Sequence, residues 1–257
     1  MSFDLKGKIV LVAGGAGYLG HSICLELASH GAVVVIADLS AERAESLALK
    51  LRNGGSKAAA VALNVADESS VKTAIATTLS AFGRLDCVVN ATCYSLGMTL
   101  DELTAEEFDR SNRINITGAF LLAREAARVM EPGSSIVLFA SMYGLVSPDP
   151  TIYEKPMNPN PMDYGVGKAA VVQMTKYLAV FWGPRGIRVN AISPGPFPNP
   201  TVQKDHPQFI ERLAKKVPLG RVGRADEISG AVVYLASDAS TFMNGNILKI
   251  DGGWTVM

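Results

Sequence analysis

The chain has 257 residues, 48% apolar and 19% charged, close to ordinary globular proteins; this excludes a disordered, collagen-like or coiled-coil chain and leaves one large α/β domain or two small ones. Twenty-four basic residues balance twenty-four acidic ones, so no global field draws the molecule onto nucleic acid or an anionic membrane, and an anionic ligand must be held locally. Cys24, Cys87 and Cys93 lack Cys-x-x-Cys spacing and form no metal-ligand cluster with His21, His30 and His206, while the apolar runs are far shorter than the roughly 20 residues of a membrane span and the polar start Ser2-Phe3-Asp4 has no signal core, so a cytoplasmic protein without metal is expected.

The first apolar run, residues 9–13, is of strand length and leads into Gly14-Gly15-Ala16-Gly17-Tyr18-Leu19-Gly20, followed by a helical pattern over 18–30. Glycines there let the chain turn tightly and bring backbone N–H groups at the helix start up to a pyrophosphate, although such turns also serve merely to pack a helix on a strand. A second strand, 33–37, ends at Asp38, 18 residues beyond Gly20. A carboxylate at that place accepts hydrogen bonds from the adenosine ribose and repels a 2′-phosphate, and the glycine turn has no Lys or Arg to receive one, so NAD is expected over NADP. The alternative role for Asp38 is to cap the helix over 41–53, which Ser40 also suits.

Further strands are read at 58–63, 87–89, 136–140, 187–192 and 247–250, alternating with helices at 68–82, 104–130, 163–182 and 225–237. Continuous apolarity marks strands covered on both faces, and regular alternation with helices implies right-handed crossovers. The fold class is therefore α/β: a single doubly wound Rossmann-type domain over 1–257 with a parallel sheet of about seven strands, its ligands at the carboxyl edge.

Along the second half of the chain Asn115 sits mid-helix, where a polar residue is disfavoured and reads as a kink or a solvated side chain. Ser141 ends the fifth strand, where its hydroxyl reaches a substrate oxygen or simply makes a turn. Residues 147–162 carry five prolines and cannot be a helix interior or a central strand, so they form a surface loop. Tyr164 and Lys168, four apart at the start of the helix over 163–182, share one face; a phenol of ordinary pKa about 10 gains from a neighbouring ammonium that stabilises its phenolate, making a proton-transfer pair. Residues 194–200, Pro-Gly-Pro-Phe-Pro-Asn-Pro, and a short helical stretch near 208–216 make 194–217 a lid over the sheet edge.

From Lys8 to Asp251 these motifs, with Asn64-Val65, Asn90, Asn190-Ala191-Ile192-Ser193-Pro194-Gly195 and the tail at Asp251-Gly252-Gly253, resemble the compact short-chain dehydrogenase/reductase family. The resemblance implies that Tyr164 is the acid/base, that Lys168 lowers its pKa and binds the nicotinamide ribose, that Ser141 polarises the carbonyl and that Asn115 holds a proton-relay water. It also implies pairing of the long helices across a twofold axis and a homotetramer. Two departures stand out. Tyr18 replaces the second glycine of Gly-x-x-x-Gly-x-Gly, giving a spelling that looks like the extended, epimerase branch, and Asn90-Ala91-Thr92-Cys93 replaces Asn-Asn-Ala-Gly, with a thiol that can pack as a small hydrophobe. The proline-rich loop also lengthens the separation of Ser141 from Tyr164 to 23 positions and is similar to members of bacterial surface-sugar and flagellin-modification pathways.

The expected catalytic set is thus Asn115, Ser141, Tyr164 and Lys168. The expected cofactor set is Gly14, Gly17, Tyr18, Leu19, Gly20, Asp38, Leu39, Asn64, Val65, Asn90, Tyr164, Lys168, Pro194, Gly195 and Phe197. Substrate contacts are expected from Ser141, Tyr143, Tyr153 and Tyr164. These choices describe an NAD-dependent oxidoreductase acting on a secondary alcohol or ketone, on a polyol or carbohydrate-like small molecule, with neither nucleic acid nor membrane as partner. The alternatives are a non-catalytic dinucleotide sensor and an epimerase that retains its NAD.

Overall fold

The computed structural model describes residues 2–257. Seven parallel strands, β1 (Ile9–Ala13), β2 (Val33–Asp38), β3 (Ala58–Ala62), β4 (Cys87–Asn90), β5 (Ser135–Phe139), β6 (Arg188–Pro194) and β7 (Ile247–Ile250), form one sheet in the order 3-2-1-4-5-6-7. The strand order reverses between β1 and β4, which opens a crevice beyond their carboxyl ends.

The apolar strands are explained by what covers them. In β1, Ile9, Leu11 and Ala13 face one layer of helices while Val10 and Val12 face the other. The first layer holds α3 (Glu68–Phe82), α5 (Ala119–Val129) and α6 (Met162–Trp182); the second holds α1 (Tyr18–Ser29), α2 (Ala41–Asn53) and α9 (Asp226–Ala236). With both faces dry, every position of the five inner strands β2, β1, β4, β5 and β6 is buried and period-two alternation disappears from their sequences, whereas the edge strands β3 and β7 are only half-buried.

The helix expected over 104–130 is three pieces: α4 (Ala105–Asn112), a π-helical stretch (Arg113–Gly118) and α5. Asn115 lies inside the π-helical stretch, and Gly118 lets that stretch press on Val65, since a Cβ there would fall 2.9 Å from the valine side chain. A widened turn of this kind is characteristic of functional sites, because it redirects one side chain without ending the helix. The proline-rich loop contains a short 3-10 turn (Pro150–Ile152), and the segment after β6 contains two helices, α7 (Pro200–Asp205) and α8 (Pro207–Lys216). No helix among the described residues is long and apolar enough to cross a membrane.

Candidate active site

A cavity of about 510 Å³ opens at the carboxyl edge of the sheet, walled by the turns after β1, β2, β4, β5 and β6. That position follows from topology alone, because every loop leaving the carboxyl ends near the β1/β4 reversal converges there.

Its nucleotide end is built by glycine. Gly14 has φ of +74°, and Gly20 has no room for a side chain, since a Cβ would lie 2.1 Å from the Gly14 carbonyl oxygen. Gly17 caps α1 without a side-chain acceptor, which leaves the N–H groups of Tyr18, Leu19 and Gly20 in the first turn unbonded within the helix, and all three residues line the cavity. Orphaned donors at a helix N-terminus fit a pyrophosphate. At the far rim Asp38 is buried; its Oδ2 accepts the Ala16 N–H at 3.2 Å and its Oδ1 accepts the Ser40 N–H at 3.1 Å. The carboxylate therefore keeps acceptor capacity for ribose hydroxyls. The residues present fit a dinucleotide.

The chemical end gathers Ser141, Tyr164 and Lys168 on one wall, with Cys93, Tyr94 and Asn199 nearby. Ser141 lies two residues past β5 rather than at its end, and its Oγ accepts the Tyr143 N–H at 3.1 Å, which leaves the hydroxyl hydrogen to donate. Tyr164 and Lys168 sit in the first two turns of α6, with the ammonium 5.6 Å from the ring centroid. Lys168 is buried, donating to the Phe139 carbonyl at 2.8 Å and the Thr92 carbonyl at 3.4 Å, and burial lowers its pKa. Burial also pushes the Tyr164 phenol up, partly countered by a hydrogen bond with Ser141. Desolvation thus dominates the phenol in this structure, while the Lys168 ammonium is engaged with two backbone carbonyls.

The glycine-turn pattern, the Asp38 strand end and this Tyr-Lys-Ser wall lie in one crevice, and a family model described as enoyl-(acyl carrier protein) reductase matches residues 14–255. The chain belongs to the short-chain dehydrogenase/reductase family. It is 38% identical, over 99% of its length and 95% of the relative's, to a D-threitol dehydrogenase of Mycolicibacterium smegmatis. It is 36% identical, over 99% of both chains, to a 2,5-dichloro-2,5-cyclohexadiene-1,4-diol dehydrogenase of Sphingobium indicum. Among solved structures, a gluconate 5-dehydrogenase of Burkholderia cenocepacia in complex with NADP and tartrate superposes with a TM-score of 0.89 at 31% identity, covering 99% of this chain and 98% of that one. The protein is thus a short-chain dehydrogenase/reductase, an oxidoreductase of alcohol and ketone groups whose family works with a nicotinamide dinucleotide.

Most of the residues singled out in the sequence of this short-chain dehydrogenase/reductase meet on the cavity wall: Gly14, Gly17, Tyr18, Leu19, Gly20, Asp38, Leu39, Asn64, Val65, Ser141, Tyr164, Lys168, Pro194, Gly195 and Phe197. Four do not. Asn90 stands behind the wall, where its Oδ1 accepts from the Thr92 N–H at 3.2 Å and hydroxyl at 2.7 Å and so fixes the residue whose carbonyl receives Lys168. Asn115 accepts the Tyr94 N–H at 3.0 Å and donates to the Tyr94 carbonyl at 2.7 Å, so its side chain clamps the loop after β4. Tyr143 and Tyr153 bond each other through their hydroxyls at 2.9 Å inside an apolar cluster with Ile152, Phe209 and Leu213. Their place is beneath the lid, because the proline-rich loop packs its apolar residues against α8.

Among the other wall residues, Thr92 and Cys93 belong to the altered segment noted in the sequence, while Tyr94 and Asn199 were not among the expected site residues. Cys93 is exposed rather than packed as a small hydrophobe. Arg43 also escaped notice, although its Nη2 donates to Asp38 Oδ1 at 3.0 Å. The available clue was its helical phase: three residues after the cap Ser40, a side chain in the first turn of α2 points back to the strand end.

Proposed function

We propose that this enzyme transfers hydride between NAD and a secondary alcohol or its ketone, on a polyol or carbohydrate-like substrate. The observation that carries the reading is the convergence of Ser141, Tyr164 and Lys168 on one wall of the cavity whose opposite end holds Asp38. When bound, the nicotinamide supplies the carbon that accepts or returns hydride. Ser141 donates its hydroxyl hydrogen to the substrate oxygen, polarising a carbonyl and positioning an alcohol. Tyr164, kept protonated by burial, gives its proton to that oxygen in reduction and takes it back in oxidation. Lys168, anchored on two backbone carbonyls, retains one N–H for the ribose beside it. The similarity to a D-threitol dehydrogenase and to a gluconate dehydrogenase supports a hydroxyl-rich substrate, and Asn199 and Tyr94 add polar groups to the wall where it would lie. Asp38 supports NAD, since a buried carboxylate opposes a 2′-phosphate.

Tyr164→Phe keeps the ring and deletes the titrating hydroxyl, so turnover should fall by at least about 10²-fold, the usual scale of lost acid/base catalysis. NAD affinity, measured by calorimetric titration, should stay close to the parent value. Nearly unchanged turnover would remove Tyr164 from its role.

A further inference from the structure

We propose that the hydroxyl pair of Tyr143 and Tyr153 ties Ser141 to the lid, so that both tyrosines are positioning residues that hold the serine hydroxyl in place while α8 is packed over the active site. This rests on the reading of Ser141 as the group that polarises the substrate oxygen. Ser141 Oγ accepts the N–H of Tyr143, the middle residue of a 3-10 turn, Met142–Gly144. The turn's own bonds, Gly144 N–H to the Ser141 carbonyl and Leu145 N–H to the Met142 carbonyl, both at 2.9 Å, fix its shape but not its place, and so short a turn is weakly held by them.

Two surfaces give the turn its place. On the inner side it is pressed onto α6: a Cβ on Gly144 would fall 2.6 Å from the Lys168 carbonyl carbon, and one on Gly165 would fall 3.2 Å from the Tyr143 carbonyl oxygen. On the outer side the buried Tyr143 bonds the Tyr153 hydroxyl at 2.9 Å, ten residues on in the proline-rich loop. Tyr153 in turn lies on α8, its ring centroid 5.2 Å from that of Phe209, and Arg212 of α8 bonds Glu154 at 2.9 Å. Burial pushes both phenols above their ordinary value, so the pair stays protonated and keeps its bond through the neutral range. A continuous tie therefore runs from Phe209 through Tyr153 and Tyr143 to the serine, and a shift of α8 is felt at Ser141 as well as at the substrate.

Hydrogen exchange read by mass spectrometry tests the tie without a substrate. Tyr153→Phe and Phe209→Ala, both outside the turn, should each speed exchange in residues 141–146 about fivefold, the scale of one lost hydrogen bond, while residues 163–170 of α6 stay at the parent rate. Steady-state kinetics, with NAD and the polyol or sugar that reduces it fastest, then separates positioning from folding. Tyr143→Phe, Tyr153→Phe and the double variant should all lower kcat about five- to tenfold with KM within about twofold of the parent, and Tyr143→Phe should add less than about twofold to the loss in Ser141→Ala. Three results would overturn the proposal: unchanged exchange in 141–146, a full further loss in the Ser141→Ala background, or a double variant restored to the parent kcat, which traces the loss to one unpaired buried hydroxyl. A parent that turns over no alcohol would instead sink the reading of Ser141 on which the proposal stands, and the exchange rates still decide whether the tie exists.

Discussion

Tyr164 must change protonation state in either direction of the reaction, and its burial decides which direction is favoured at a given pH. With the phenol pushed above its ordinary value it is protonated at neutral pH, ready to donate to a ketone; oxidation needs the smaller deprotonated fraction, which grows as pH rises. The oxidation kcat/KM should therefore climb by about tenfold per pH unit on its acid limb, while reduction stays level and then declines at alkaline pH. Steady-state rates across the neutral to alkaline range check this, and a flat oxidation profile would contradict it. The cysteines supply a second residue-scale test. Cys24 and Cys87 are buried, with thiols raised by desolvation, the latter to about 12, whereas Cys93 is exposed on the cavity wall. Iodoacetamide should label Cys93 alone, and saturating NAD should slow the labelling; mass spectrometry showing no protection would remove Cys93 from the cofactor's path. Tyr164, Lys168 and Ser141 were legible because few residue types do proton chemistry and their spacing is local. Arg43, Tyr94 and Asn199 were not, because their positions depend on helix phase and on loops that meet only in the folded chain.

The proline-rich loop and the lid behave as one element in this structure. Ile152 and Tyr153 pack with Phe209 and Leu213 of α8, Arg212 donates to the Ile152 carbonyl at 2.7 Å, and Lys216 bonds Asp149 at 2.7 Å. The loop thus props the lid, and its effect on substrate passes through α8. Shortening residues 149–160 should raise KM or abolish turnover while NAD affinity stays near the parent value. Ile152→Ala removes a side chain that is 2% exposed and should cost about 2–4 kcal/mol of local packing. Hydrogen exchange should then quicken in 150–157 and in 207–217 together; quickening confined to the loop would contradict coupling. Prolines marked this segment as irregular, but they carried no information about its partner, since Tyr153 and Phe209 come together over a long sequence separation. The break of 104–130 into two α-helices was hinted only by Asn115, whose polar side chain finds the Tyr94 backbone across the site.

At the scale of the molecule the sheet was the most legible feature, because continuous apolar strands alternating with amphipathic helices permit few topologies. What covers the outer faces of the long helices is a proposal of the sequence that the exposed residues support: Tyr177, Val180 and Phe181 on α6 are 65%, 80% and 63% exposed, and Phe120 on α5 adds to them. An apolar strip of this kind asks for a partner, and a homotetramer is expected by light scattering, with Phe181→Glu shifting the mass downward. A monomeric parent at micromolar concentration would contradict it. The central claim concerns the reaction itself. Absorbance of reduced nicotinamide, followed while NAD and a panel of polyols, sugars, hydroxy acids and sterols are offered to the parent enzyme, should rise with one or more polyols or sugars; no rise with any secondary alcohol, under conditions where NAD is bound, would contradict the account.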